Sequence, residues 1–372
     1  MKLLLTNKHG HRPDYVLIAG FFCLVIFGLF ALASASSDIG KIRFNNTYYY
    51  LENQIVQGIG LGIIGFILGY LIYYKNYKRW ALFLLIVNIV LLILVLFSSY
   101  GTTLGGSTRW LKIGPIIAQP SEFLKIIFIV YLAAWLSSSK RDSRVKKFGS
   151  GFLPFMLISG FIGALLFAQP ATSTVFIVLL SALIMYFMSG AKFAYIGLLM
   201  VLAITVLGVL IYFTPYRLDR VMAYLTPEAD PQGAGFHLRQ SLITLGAGGI
   251  TGVGFGKSTN KYLYLPESIG DSIFAIIGEE LGFIGATILV SFIFVVVLRG
   301  ILISRNMGDE FGKLLLVGFS AILGIQAFVN IAALSGLIPL TGVTLPFISY
   351  GSSSLITFMT MAGITVNISR YS

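Results

Sequence analysis

The sequence predicts an all-α polytopic membrane protein of about ten transmembrane helices, on three observations. Of its 372 residues, 57% are hydrophobic and only 11% charged, whereas a soluble globular chain carries roughly a quarter charged residues. The mean hydropathy is +0.90. Apolar runs of about 17–25 residues, long enough to span a bilayer, recur from Tyr15 to the C-terminus. Together these exclude a soluble enzyme, a disordered chain and a disulfide-stapled secreted domain. The one cysteine, Cys23, forbids an internal disulfide. Lipid offers the backbone no outside partner, so each run is read as a helix.

Each run is bounded by recognisable residues. The first, 15–36, ends in Ala31-Leu32-Ala33-Ser34-Ala35, which is similar to a signal-cleavage site. The apolar stretch before that site already spans, so the segment is expected to stay as a helix. The second and third, 54–73 and 80–98, are separated by Lys75, Lys78 and Arg79. The fourth, 119–137, opens on Gln119-Pro120-Ser121, where proline suits a first helical turn. The fifth and sixth, 151–169 and 171–188, meet at Pro170, and the seventh, 193–213, follows Lys192. The eighth, 272–298, stops at Arg299; the ninth, 314–335, starts after Lys313; the tenth, 345–367, stops before Arg370.

Charge orients the bundle. With the loops alternating sides, sixteen lysines and arginines fall on the side of both termini, against Lys41, Arg43, Arg109 and Lys112 in the short loops opposite. The positive-inside rule then puts both termini in the cytoplasm. Most of the net charge of +12 is therefore topology, and no nucleic-acid partner is expected.

One connection, 214–271, is far longer than the rest and faces outward, as functional loops often do. It carries Arg217, Arg220, Arg239, Lys257 and Lys261 beside Asp219, Glu228, Asp230, Glu267 and Asp271. Such a balance among glycines and aromatics fits a folded polar site at a membrane surface. Its Gly252-Val253-Gly254-Phe255-Gly256-Lys257-Ser258 lacks the first glycine of a phosphate-binding nucleotide loop, that position being Thr251. Two uses stay open for these glycines: phosphate contact through backbone N–H groups and Lys257, or close backbone packing.

Ionisable residues inside membrane helices mark function by default. Glu122 and Lys125 share one helix face, downstream of the phosphate-capable Arg109 and the interfacial Trp110. Glu279 and Glu280 start the eighth helix and face either a cavity or a lysine. His9, His11 and His237 have no metal-ligand spacing, so a zinc site is not expected.

Several segments together resemble the SEDS family of membrane glycosyltransferases, the cell-wall polymerases that include FtsW and RodA. They are Gly106-Ser107-Thr108-Arg109-Trp110-Leu111, Gln119-Pro120-Ser121-Glu122-Phe123-Leu124-Lys125, and Tyr264-Leu265-Pro266-Glu267 followed by Asp271 and Ile277-Gly278-Glu279-Glu280-Leu281-Gly282. The last is Gly342-Val343-Thr344-Leu345-Pro346-Phe347-Ile348-Ser349-Tyr350-Gly351. Pro215-Tyr216-Arg217, Gln240-Ser241-Leu242 and Lys261 are similar to the FtsW branch more than to RodA. The chain departs from the family pattern at Pro170-Ala171-Thr172-Ser173-Thr174, where the family's Pro-Asp-x-Gly-Thr carries an aspartate. It departs again at Ile269-Gly270-Asp271-Ser272, which keeps only the aspartate of His-Thr-Asp-Phe, and at Tyr350-Gly351-Ser352-Ser353-Ser354 in place of Tyr-Gly-Gly-Ser-Ser.

The resemblance implies polymerisation of lipid II at the outer face of the cytoplasmic membrane, with undecaprenyl diphosphate released. It also implies a class B penicillin-binding transpeptidase as partner and, for the FtsW branch, divisome proteins at the septum. A lipid II flippase and an elongation polymerase are the alternative readings. By position, Asp271 matches the family's essential carboxylate. Arg109, Trp110, Gln119, Ser121, Glu122, Lys125, Arg217, Gln240, Ser241, Lys257, Lys261, Pro266, Glu267, Ser349 and Tyr350 are the expected substrate contacts. A divalent cation, Mg or Mn, could join the cations. Two further expectations concern geometry. Arg109, Glu122, Lys125 and Asp271 should gather at the outer mouth of one cavity, and the helix start after Asp271 should keep its carboxylate ionised.

Overall fold

Each predicted apolar run folds into a helix in the computed structural model, which describes residues 10–97, 101–104, 107–113, 116–140, 144–169, 171–226, 233–261 and 265–372. The readings on His9, Pro170, Glu228, Asp230 and Tyr264 lie outside those residues. In chain order the helices are α1 (Tyr15–Phe44), α2 (Tyr49–Leu71, π-helical over Gln54–Ile59), α3 (Lys75–Phe97), α4 (Pro120–Lys140), α5 (Phe148–Ala168), α6 (Thr172–Met188) and α7 (Phe193–Phe213). Then come α8 (Pro215–Leu225), α9 (Ala234–Ala247), α10 (Ile273–Asn306), α11 (Glu310–Leu334) and α12 (Ser352–Ser369). Among the described residues, eight of these are long and apolar enough to cross a membrane. The apolar α6, at 17 residues, is shorter, and α12 has 18.

Several boundaries differ from the sequence reading: α1 runs on to Phe44 past the expected end at 36, and α10 runs through Arg299 to Asn306 past the expected end at 298. The tenth run was expected to be helical from 345, but α12 begins only at Ser352. Pro346 lacks an N–H and Phe347 takes a left-handed φ of 65°, so the chain turns there before the helix can start. The stretch before α4, expected as plain loop, is an antiparallel sheet of β1 (Gly101–Leu104), β2 (Ser107–Ile113) and β3 (Ile116–Ala118) in sequential order. Thr102 pairs with Trp110 and Lys112 with Ile117. Threonine, isoleucine and tryptophan favour such pairing, a short-range preference the long apolar runs obscured.

The two ends of the bundle differ. At one end the termini meet: the His11 N–H donates to the Arg370 carbonyl (2.7 Å), and Arg299 pairs with Asp14 (2.7 Å), which itself caps α1 through the Leu17 N–H. Asn367 there holds the turn between α2 and α3, donating to the Tyr70 carbonyl and accepting from the Tyr74 N–H. The opposite end gathers the sheet, the α5–α6 turn, the described parts of the loop 214–271 and the turn before α12. Ser173 donates to the Thr341 carbonyl (2.6 Å), Arg220 to that of Leu340 (3.1 Å), and the Tyr350 N–H to that of Ile269 (2.9 Å).

Between the ends, α11 is the central post, with buried residues along its whole length. Helix α7 is its opposite: none of its residues is buried. The contacts of α2 with α12 are backbone-close, since a Cβ at Gly363 would run into the Phe66 carbonyl.

Candidate functional site

The site is built around the break in α10. Gly282 takes φ 68° and ψ −169°, so the helix stops and restarts there. A break frees carbonyls before it and N–H groups after it, and in a membrane protein these need partners. The glycine-rich stretch supplies both. The N–H groups of Val253 and Gly254 donate to the carbonyls of Glu279 and Glu280, and those of Phe283 and Ile284 donate to Gly249 and Ile250. Only glycine allows such an approach: a Cβ on Gly252 or Gly282 would strike the facing backbone. Of the two uses open to this segment, close packing is the one its backbone makes.

Both acids beside the break are paired. Glu279 accepts from the Ser258 hydroxyl, from Asn260 Nδ2 (2.9 Å) and from the Thr259 N–H. Glu280 Oε1 accepts from Ser34 (2.6 Å), Lys261 Nζ (3.2 Å) and the Ser258 N–H. Lys261 is buried and also donates to the Gly256 carbonyl (2.7 Å). The lysine expected to touch substrate is thus committed to an internal ion pair. Gln240 donates to Asn260, and the buried Ser241 to the His237 carbonyl. Lys257 is exposed, its alkyl chain over Gly254.

Asp271 lies in the turn that leads into α10. Its carbonyl accepts from Asn330 Nδ2 of α11 (2.7 Å), which also donates to the Val343 carbonyl (2.7 Å). Its Oδ1 is shut off from solvent and, among the described residues, accepts no hydrogen bond. The opposite oxygen and an Arg220 nitrogen both lie within 4 Å of where a Cβ on Gly342 would sit. Glu267, in a left-handed turn residue (φ 49°), adds a second carboxylate nearby, and the Pro266 carbonyl accepts from Ser272 (2.9 Å).

The expectation of a low pKa for Asp271 is overturned. Burial raises it most and the Glu267 charge raises it further, while its own N–H, Arg220 and Ser272 oppose, leaving it at about 7 against an ordinary 3.8. The reason is burial beside a second carboxylate; the position preceding α10 is Ser272, not Asp271. His237, next to Ser272, is pushed down to about 4 by burial first and Arg220 second, so its ring is neutral at pH 7.

The other expected contacts separate into two groups. Glu122 and Lys125 form a buried pair (2.7 Å) inside the bundle, with Lys125 also donating to Gln326 Oε1 (2.7 Å) and lying over the Phe358 ring. Gln326 is one turn before Asn330 on α11, so the pair and the Asp271 turn are fastened to the same helix. Gln119 donates to the buried Ser121, and its N–H to Ser353. Ser349 accepts from the Leu345 N–H, and the Tyr350 ring meets Tyr50 edge-on. The second group surrounds the α5–α6 turn. Arg109, with Trp110 beside it on β2, donates to the Gln169 carbonyl (3.2 Å). Arg217 donates to Thr172 Oγ1 (3.1 Å) and covers Phe167. Two guanidinium groups thus flank the buried Ala171, the position that lacks the family's aspartate.

Sequence reasoning passed over His237, for want of ligand spacing. Its signal was proximity that only the fold creates. Arg220 was read as one cation among several, with nothing in the sequence to pair it with Asp271.

Residues 15–372 match the FtsW/RodA/SpoVE family, described as cell cycle protein. The chain is 36% identical to stage V sporulation protein E of Bacillus subtilis over 99% of this chain and 100% of that protein. It is 37% identical to a probable peptidoglycan glycosyltransferase FtsW of Trichlorobacter lovleyi, over 96% of this chain and 93% of that one. Its fold is similar to a solved chain from work on the structural coordination of polymerization and crosslinking by a peptidoglycan synthase complex. There the TM-score is 0.79 at 26% identity, covering 96% of this chain and 98% of that one. The rod-shape-determining protein RodA of Thermus thermophilus shares the fold at a TM-score of 0.70 and 23% identity, over 96% and 97% of the two chains.

Proposed function

The chain belongs to the FtsW/RodA/SpoVE family, and from that premise we propose that it is a peptidoglycan glycosyltransferase. It polymerises lipid II into glycan strands at the outer face of the bacterial cytoplasmic membrane, releasing undecaprenyl diphosphate. The observation that carries this reading is Asp271: a buried carboxylate with an unpartnered oxygen, its pKa near 7, close to Arg220. A general base works best when its pKa lies near the operating pH. Outside the membrane there are no nucleotide sugars, so the donor brings its own activation as a lipid diphosphate. Diphosphate leaves without a proton, so one base suffices, unlike the two carboxylates of a typical glycosidase.

In the step proposed, Asp271 takes the proton of the acceptor hydroxyl as its oxygen bonds to the donor's anomeric carbon. The bond from that carbon to the diphosphate oxygen breaks, and the pair stays on the diphosphate. Arg220, with Arg217, Arg109 and Lys257, is the cation pool that stabilises the leaving charge. Among the described residues there is no cluster of three or more His, Cys, Asp or Glu fit to hold a metal ion. A divalent cation bound with the diphosphate would supply further neutralisation of the leaving charge.

The partner proposed is a class B penicillin-binding transpeptidase, supported by the similarity to a chain of a synthase complex that joins polymerisation to crosslinking. With divisome proteins, the place of action is the septum. Identity of 37% to a probable FtsW over nearly the whole chain supports division over elongation. The test is reconstitution of the purified protein with lipid II, with and without the transpeptidase and with a chelator. Glycan product is the expected result. Lipid movement across the bilayer without polymer would overturn the polymerase in favour of a flippase.

A further inference from the structure

Asp271 is fastened on several sides, and one fastening is made of side chains the mechanism above leaves unused. Ser272 is fully buried, and where the family's segment carries phenylalanine this chain carries its hydroxyl. A buried hydroxyl needs partners. It has two in line: Ser272 Oγ donates to the Pro266 carbonyl (2.9 Å), and the His237 Nε2 lies 2.7 Å from the same oxygen. A serine hydroxyl owns one proton. With that proton directed at Pro266, its lone pair must accept from the ring, so His237 carries its proton on Nε2. The chain of donors runs from His237 on α9, through Ser272 at the start of α10, to Pro266. It closes the turn whose last residue before Ser272 is Asp271. The same turn is tied by the Ser272 N–H to the Glu267 carbonyl.

We infer that His237 is a positioning residue for Asp271, acting through the Ser272 hydroxyl. The inference rests on the polymerase reading. It deepens that reading by assigning a residue that the motifs do not mark. The geometry explains why an imidazole is useful here. Its N–H occupies the hydroxyl's lone pair and leaves the single hydroxyl proton on the Pro266 carbonyl, which holds the turn that carries Asp271. The ring stays neutral, because burial and Arg220 hold its pKa far below 7, so the site carries no extra charge. Ser272 makes no side-chain cap to α10, so its hydroxyl is not needed to start the helix. A base misplaced by an ångström can lose about a hundredfold in rate, which gives a remote hydrogen bond kinetic consequence.

The experiment is a double-mutant cycle on lipid II polymerisation, using the full chain reconstituted with its transpeptidase. His237→Phe keeps a ring and removes the donor, Ser272→Ala removes the hydroxyl, and His237→Gln keeps an N–H at similar reach. The expected result is a fall in kcat of about tenfold for His237→Phe and for Ser272→Ala, with KM within about twofold, since substrate contacts are intact. The double variant should fall no further than the worse single one. His237→Gln should regain most of the rate. Multiplying effects in the double variant, wild-type turnover in either single one, or a loss confined to KM would overturn the inference. If His237→Phe does not fold, His237→Gln and Ser272→Ala decide alone: near-normal turnover in Ser272→Ala, or a crippled His237→Gln, would overturn it. Wild-type polymerisation in the same vesicles separates the two failures. Absent wild-type product breaks the polymerase reading itself, whereas normal wild-type product with indifferent variants breaks only this assignment.

Discussion

Asp271 stands just before α10 and Glu280 inside it beside the break at Gly282, and both are acids removed from bulk water, yet their surroundings are opposite. Glu280 Oε1 accepts from a serine hydroxyl, a lysine and a backbone N–H. Asp271 keeps one oxygen buried without a partner and has a second carboxylate for a neighbour. Burying a charge is tolerable when its lone pairs are satisfied and costly when they are not. The partnered acid holds the structure together, fastening α1 and the glycine loop to α10. The under-partnered one keeps a high affinity for a proton, which is what a base needs.

Removing the cation from the satisfied acid should have the largest effect. Lys261→Met leaves Glu280 buried without its counter-charge, with an expected loss of about 3–5 kcal/mol. It should be read as folded yield and thermal unfolding in detergent. Adding Glu280→Gln should recover most of that loss, because the pair is then replaced instead of broken. If Lys261→Met unfolds no earlier than wild type but stops polymerisation, the contrast fails and Lys261 belongs with the substrate.

Asp271→Asn should behave in the opposite way. It removes the proton acceptor at nearly constant size, so turnover should fall roughly a hundredfold or more. Unfolding temperature and partner binding should hold, measured at matched expression. Near-normal turnover would remove Asp271 from the catalytic role.

The pH dependence sharpens the same point. A base with a pKa of about 7 works only when ionised, so kcat should rise with pH through about 7 and level off above it. Stability should run the other way. The folded carboxyl holds its proton more tightly than the unfolded one at 3.8, so the folded state binds more protons between the two values. Asp271's contribution to stability is therefore full below about 4 and declines as pH rises through about 7. Asp271→Asn should remove that slope in unfolding measured across pH 4–8. A slope that persists in the variant assigns the titration to another group.

The smallest effect is expected at the α5–α6 turn. Ala171→Asp restores the acid the family carries there, beside Arg109 and Arg217. The protein folds that turn without it, so the variant should be tolerated and polymerise at the wild-type rate. A large gain in product would instead mark this chain as a weakened enzyme.

Much of the molecule was legible in advance, and particular residues show where legibility stopped. The apolar runs announced α1 to α7 and α10 to α12 because crossing lipid demands length and hydrophobicity, both local properties. The turn at Pro346 and Phe347 was hidden inside an apolar run, since a turn residue's conformation is not written in its hydropathy. Asp271 could be picked out by its motif, but its protonation was misread. The sequence places it before a helix, and only the fold puts Glu267 beside it and takes water away.

Lys261 carries the same lesson from the other side. In the sequence it is one of several outer-loop cations, chemically suited to phosphate. In the structure it is spent on Glu280.

What the sequence by itself determined is the membrane architecture: a polytopic helical bundle, the place in the chain of each apolar helix, and which residue types are available in the long outer loop. Those follow from the transfer of each segment into lipid, an energy summed over neighbours in the chain. What only the tertiary structure decided is the state of each charged group. Lys261 found Glu280, Lys125 found Glu122 and Gln326, His237 found Ser272, and Asp271 was left with a bare oxygen. The physical reason is that pKa and partner choice depend on desolvation and on charges a few ångströms away in space, and the break at Gly282 brings together residues from α1, the glycine loop and α10 that no local rule connects.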